Sequence, residues 1–239
     1  MAQLCHGIVF ASCRIPITTL EKGYTMNPEK TNPLFSILNL LGHLILLSIV
    51  WTICCLPIIT IGASSTALYY TVVKVLRRNQ DSLFGAFFRE FRNNFLQSLN
   101  INMVFLCYFA VLAYFAISPL AGLEGEAGGN VYWLIGLAFL GMLPLSVIYP
   151  TISRFFHKGT ELMRFLLLII GRHPHIAMAC ALLLLAGIFL VLSNPAALLF
   201  APGMICYVQS LMLEPVFRKY SCSEDPEAYE TWYGTGKDN

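Results

Sequence analysis

The chain has 239 residues, 57% of them hydrophobic and 12% charged, with a mean hydropathy of +0.67 and a formal net charge of +2. Soluble proteins carry about 25% charged residues, so this composition excludes a soluble enzyme, a nucleic-acid binder and a disordered chain. The chain reads as an integral membrane protein.

Residues 1–25 show neither an apolar period nor a signal peptide, because the short run 7–12 has no basic residue before it. Met26 reads as a natural start, and 1–25 as a dispensable extension ahead of one membrane domain, 26–220. From residue 31 to 73 there is no Lys, Arg, Asp or Glu. A spanning helix needs about 20 mostly apolar residues, and the first span is 34–56. His43 is the ionisable residue deepest in a span, hence a functional candidate. A neutral imidazole bonded to a neighbouring helix is the plainer reading.

Pro57 ends or kinks that helix, Thr60 is placed to cap the next, and Gly62 with Ala63 allows two helix backbones to approach closely. The second span, 62–76, is weaker, since Ser64, Ser65, Thr66, Thr71 and Lys74 dilute it. Whether it crosses decides between six spans and five. After Asp81, Phe84, Phe87, Phe88, Phe91 and Phe95 form one helical stripe, with Arg89 and Arg92 largely opposite. That pattern suits a helix in the membrane interface, basic side toward anionic headgroups, or equally a helix packed under the bundle.

Spans 99–120 and 131–153 follow, separated by a glycine-rich loop. Thr160 or Glu161 opens a second, more apolar stretch to Ile170, too short to cross. It ends at Gly171, and His173 and His175 follow without a third ligand at metal spacing. Spans 176–192 and 196–213 come last, before a polar tail, 221–239.

Shifting the chain by 80 residues sets Tyr69 on Tyr149, Thr71 on Thr151, Lys74 on Arg154, Arg78 on Lys158, Asp81 on Glu161 and Arg92 on Arg172. The confident span 131–153 thus vouches for its counterpart 62–76. With six spans, all 15 Lys and Arg fall on one side, which the bias of basic residues makes cytoplasmic together with both termini. The outer loops carry only Glu124 and Glu126. The expected fold is therefore all-α: a polytopic helical bundle of six (alternatively five) spans, two amphipathic interfacial helices and a parallel repeat. Lys74, Arg77, Arg78, Arg89, Arg92, Arg154, Lys158 and Arg172 form its expected basic interface.

No nucleotide loop, nucleophile elbow, metalloprotease helix or intramembrane acid pair is present, so no catalysis, metal or cofactor is expected. The eight cysteines contain no C-x-x-C pair.

The stretch Cys55-Leu-Pro-Ile-Ile-Thr-Ile-Gly-Ala-Ser-Ser-Thr-Ala-Leu-Tyr-Tyr70 resembles the signature of the bacterial YesL-like family, also called DUF624. Phe88-Arg-Glu-Phe-Arg-Asn-Asn-Phe95 is similar to that family's second element. The resemblance implies a multi-pass plasma-membrane protein whose genes often neighbour those for carbohydrate ABC importers. It implies no activity. Pro57, Thr60, Gly62 and Ala63 are then a structural hairpin first, and a ligand or partner contact second. Two function classes stay open: an accessory or regulatory subunit beside a sugar-importer permease, or a small transporter with a path between the repeats. Few polar residues inside the spans favour the first.

Overall fold

A computed structural model describes residues 33–76, 82–117, 130–155 and 160–224. The segment 1–25 and most of the tail lie outside the described residues. The described residues are all helical apart from short connections, without a strand. The helices are α1 (Pro33–Cys54), α2 (Ile61–Thr71), α3 (Leu83–Asn93), α4 (Phe95–Ile117), α5 (Asn130–Arg154), α6 (Thr160–Arg172), α7 (Pro174–Ser193) and α8 (Ala201–Glu224). A 3₁₀ turn, Ile58–Thr60, leads into α2, which widens into a π turn at Val72–Leu76. A second 3₁₀ turn, Pro195–Leu199, joins α7 to α8.

Five helical stretches are long and apolar enough to cross a membrane: Ile37–Cys54, Ile58–Leu76, Phe95–Ile117, Tyr132–Arg154 and Pro174–Ser193. The doubtful second span is among them. The expected last span, 196–213, is not, for a physical reason. Its first residues form the 3₁₀ turn, and α8 then carries Gln209, Glu214, Arg218 and Lys219. Gln209 and Glu214 are buried against the protein together with Cys206, Leu213 and Phe217, so lipid does not meet them. α8 packs on α1 and α7 and completes a bundle of six long helices.

α2 is the central helix. Gly62, Ala63, Ser64, Thr66, Ala67, Leu68, Tyr69, Tyr70 and Thr71 are all buried, against α1, α3, α4, α5 and α8. Its weak hydropathy follows from that position, because small residues let neighbours approach and hydroxyls are tolerated where they bond locally. Thr66 donates to the Gly62 carbonyl (2.9 Å), and Thr71 to that of Ala67 (2.8 Å).

The 80-residue repeat reappears as element order: span α2, short helix α3, span α4, then span α5, short helix α6, span α7. α3 and α4 together run antiparallel to α2. Arg89 reaches Tyr70, Ser98 faces Thr66, and Asn102 reaches Ile58, so the partner number falls as the chain number rises. Asn94 makes the bend between α3 and α4, donating to Glu90 Oε2 (2.8 Å) while its carbonyl accepts the Ser98 N–H (2.9 Å).

The phenylalanine stripe of α3 divides. Phe87 is fully buried and stacks with Phe91, which in turn meets Phe95, whereas Phe84 and Phe88 are about half exposed. One arc packs on α2, and the next is left outside. α3 and α6 mark one end of the bundle, called here the basal end; the turns at Pro57–Thr60 and Pro195–Leu199 lie at the turn end. The hydrophobic core is concentrated near the basal end, around Tyr69, Val72, Phe87, Ile152, Phe165 and Phe217.

Candidate functional site

At the turn end, the α1–α2 hairpin satisfies its own carbonyls. The Thr60 hydroxyl lies 2.6 Å from both the Cys54 and the Pro57 carbonyls. It makes no cap bond to α2. Thr60 therefore closes the helix before it, not the helix after it, because a hydroxyl proton can serve the orphan carbonyls at a helix C-terminus. Asn102 of α4 supplies the remaining donors, from Nδ2 to Ile58 O and Ile59 O (3.2 Å each), and accepts the Tyr149 hydroxyl at Oδ1 (3.0 Å). A Cβ on Gly62 would lie 2.9 Å from Ser98 O and 2.9 Å from Tyr149 Cε1. Three helices meet there, and Ala63 beside it has no exposed surface.

His43 is partly buried on α1, with Nδ1 2.7 Å from the Asn39 carbonyl one turn earlier. It bonds its own helix, not a neighbour. Since a carbonyl only accepts, the proton of that bond sits on Nδ1.

At the basal end, Arg154 closes α5 but does not face headgroups. It is 6% exposed and pairs with Glu214 of α8, Nη2 to Oε2 2.5 Å. Tyr69 donates to the other carboxylate oxygen (3.3 Å), so one acid ties α2, α5 and α8 together. Lys74, the repeat counterpart of Arg154, stands 5.3 Å from the Tyr70 ring centroid, a cation–π arrangement. Arg92 and Arg172 are exposed, as is Arg89, which also donates to Tyr70 Oη (3.5 Å). Arg77, Arg78 and Lys158 lie outside the described residues. His173 and His175 stand with ring centroids 6.0 Å apart, and burial together with Lys219 pushes the His173 pKa down. No three metal-ligating side chains come together among the described residues.

Glu90 is almost buried on α3, and burial raises its pKa against the opposing pull of Arg89, the Asn94 amide and Lys74. A raised carboxyl binds its proton more tightly in the folded protein. That contribution to stability is complete below the unfolded value of about 4.3 and is lost as pH rises through the folded value. Glu90→Gln keeps an acceptor for Asn94 without the desolvated charge. It is expected to melt higher than wild type in detergent at about pH 8, with the gap closing toward about pH 4. Equal melting at the higher pH would mean that Arg89 and Lys74 offset the burial in full.

Between the two ends lies a cavity of about 360 Å³, with α2 on one side, α7 on the other, and α5 and α8 between them. It exists because α2 starts late. Gly62 is level with Tyr149, so α5 runs on past the beginning of α2 toward the turn end, and the described residues leave the space between them unfilled. Trp51, Ser65, Ser146, Tyr149 and Gln209 reach its wall, a convergence that the sequence did not announce. Their polar atoms are largely occupied: Trp51 Nε1 donates to Ser65 Oγ (3.3 Å), Ser146 to Leu143 O (2.8 Å) and Tyr149 to Asn102. The rest of the wall is apolar.

The family model described as "Protein of unknown function, DUF624" matches residues 31–115. Both segments behind the sequence resemblance, 55–70 and 88–95, fall inside that stretch, together with α1, the hairpin, α2, α3 and all but the last two residues of α4. No curated protein and no solved structure matches the chain.

Proposed function

We propose that this membrane protein acts without chemistry of its own, as an accessory or regulatory subunit beside the permease of a bacterial carbohydrate ABC importer. In this reading it sits in the plasma membrane with both termini cytoplasmic. The link to carbohydrate uptake rests on the family resemblance, and the orientation on the one-sided placement of Lys and Arg. One observation carries the choice of accessory over carrier. A sugar shedding its water needs many free donors and acceptors along its path, since each unpaired hydroxyl left in an apolar site costs about 1–3 kcal/mol. The cavity between the repeats is apolar, and the hydroxyls and indole at its wall are already bonded within the protein.

Affinity purification in mild detergent from cells of the source organism is expected to bring down an importer permease. Liposomes holding this protein alone are expected to show no sugar flux above empty vesicles. Flux in those liposomes would replace the accessory reading with the carrier reading.

A further inference from the structure

We propose that the cavity between α2 and α7 is a binding site for a single-chain amphiphile, a hydrocarbon chain bearing an oxygen that accepts a hydrogen bond from Gln209. This is independent of the importer reading, since it concerns what fills the bundle and not what the bundle joins.

Three observations carry it. The first is size: about 360 Å³ is room for roughly a dozen water-sized groups, within the range of small-molecule pockets. The second is chemistry. Leu145, Leu184, Ile188, Val191 and Ile205 dominate the wall, and apolar cavities of this kind stay dry and take apolar ligands. The space lies among helices apolar enough to cross a membrane, so the apolar species concentrated around it are hydrocarbon chains. Third, Gln209 is 6% exposed and reaches the wall, and its Nε2 lies just beneath the wall surface with no hydrogen-bond partner among the described residues, so a turn of the terminal amide brings it to a ligand in the cavity. A buried amide left unbonded costs about 1–3 kcal/mol, so this donor calls for an acceptor. The Trp51 indole and the Ser146 and Tyr149 hydroxyls are spent on protein oxygens, so Gln209 is the buried wall group left wanting a partner.

Trp51 stands in the wall and serves as a built-in reporter. In a Trp133→Phe/Trp232→Phe background reconstituted into nanodiscs, Trp51 emission is followed while a dibrominated long-chain fatty acid is added. Saturable quenching is expected. A parallel titration uses phosphatidylcholine carrying the same brominated chain: saturation with the free acid alone supports a free single-chain amphiphile, whereas saturation with both would overturn that assignment in favour of one acyl chain of the bilayer's own lipid. Leu184→Phe/Ile205→Phe, which fills the space, is expected to abolish the saturable component. Gln209→Leu, close in volume, is expected to weaken the acid about tenfold, the loss of one hydrogen bond, and to leave a brominated alkane unaffected. Circular dichroism melting of each variant in the same discs establishes that it is folded. Quenching that rises linearly with probe and is the same in the filled variant would overturn the proposal. Equal affinity of Gln209→Leu and wild type for the acid would overturn the role of the amide.

Discussion

Glu214→Ala is expected to be the most destabilising single substitution outside the glycine contacts. It would remove the carboxylate that pairs with Arg154, a guanidinium 6% exposed between α5 and α8. Deleting one member of a buried ion pair typically costs about 3–5 kcal/mol, because the remaining charge stays buried and uncompensated. Against a total stability of about 5–15 kcal/mol, that is a large share. The Tyr69 hydroxyl loses its acceptor in the same step. The cost belongs to leaving a buried guanidinium without this carboxylate, not to the pair's net worth. Arg154→Met combined with Glu214→Met should therefore recover most of the loss, since well-packed apolar replacements of buried pairs are often neutral or better. Melting temperature in one detergent, measured for both singles and the double, decides this. A Glu214→Ala protein that melts like wild type would show that water or the other contacts of Arg154 offset the loss of the carboxylate.

The same pair shows where sequence reading stops. α1, α4, α5 and α7 were legible because a helix facing lipid on most sides must be apolar on most sides. α2 faces protein instead, so its span was recoverable not from hydropathy but from the one-sided placement of Lys and Arg and from the repeat that set Tyr69 on Tyr149. α8 defeated the same reasoning from the other direction. Hydropathy sums a residue without knowing which face it occupies, and Gln209 and Glu214 occupy the face turned inward. Arg154 looked like one more basic residue at a cytoplasmic end, since its partner lies 60 positions later. A lone acid directly after the last apolar stretch was the available signal: an acid buried in a bundle needs a cation, and span-end arginines are the nearest supply. The Phe84–Phe95 stripe told of an amphipathic helix but not which arc would pack, as period alone does not say where the neighbour stands. The convergence of Trp51, Ser65 and Gln209 on one cavity had no local signature, because it follows from where α2 begins relative to α5.

The glycine contacts give the second large effect. At Gly62 a new Cβ would stand 2.9 Å from a backbone oxygen, Ser98 O, and 2.9 Å from a ring carbon of the hydrogen-bonded Tyr149. Neither yields easily. Gly62→Leu is expected to lose more than the roughly 1–3 kcal/mol usual for overpacking, because the obstacle is partly main chain. Thr60→Ala loses a hydroxyl bonded to two carbonyls near the end of α1, a cap-scale loss of about 1 kcal/mol. Gly203 is a second site of the same kind, missed in the sequence. Its Cβ would meet Leu44 O at 2.6 Å and Ser48 Oγ at 2.7 Å, and its N–H donates to that same Oγ (2.9 Å). Gly203→Ala should thus part α1 from α8, while Gly42→Ala on α1, where no described neighbour lies within 4 Å, should be neutral or slightly stabilising. Ranking the four by melting temperature in one detergent is the measurement, expected as Gly62→Leu lowest, then Gly203→Ala, Thr60→Ala and Gly42→Ala. If Gly62→Leu folds as stably as Thr60→Ala, the hairpin does not rest on close helix contact. If Thr60→Ala instead keeps its melting temperature but no longer brings down a permease, the hairpin is a partner contact, and the weight now placed on packing moves to binding.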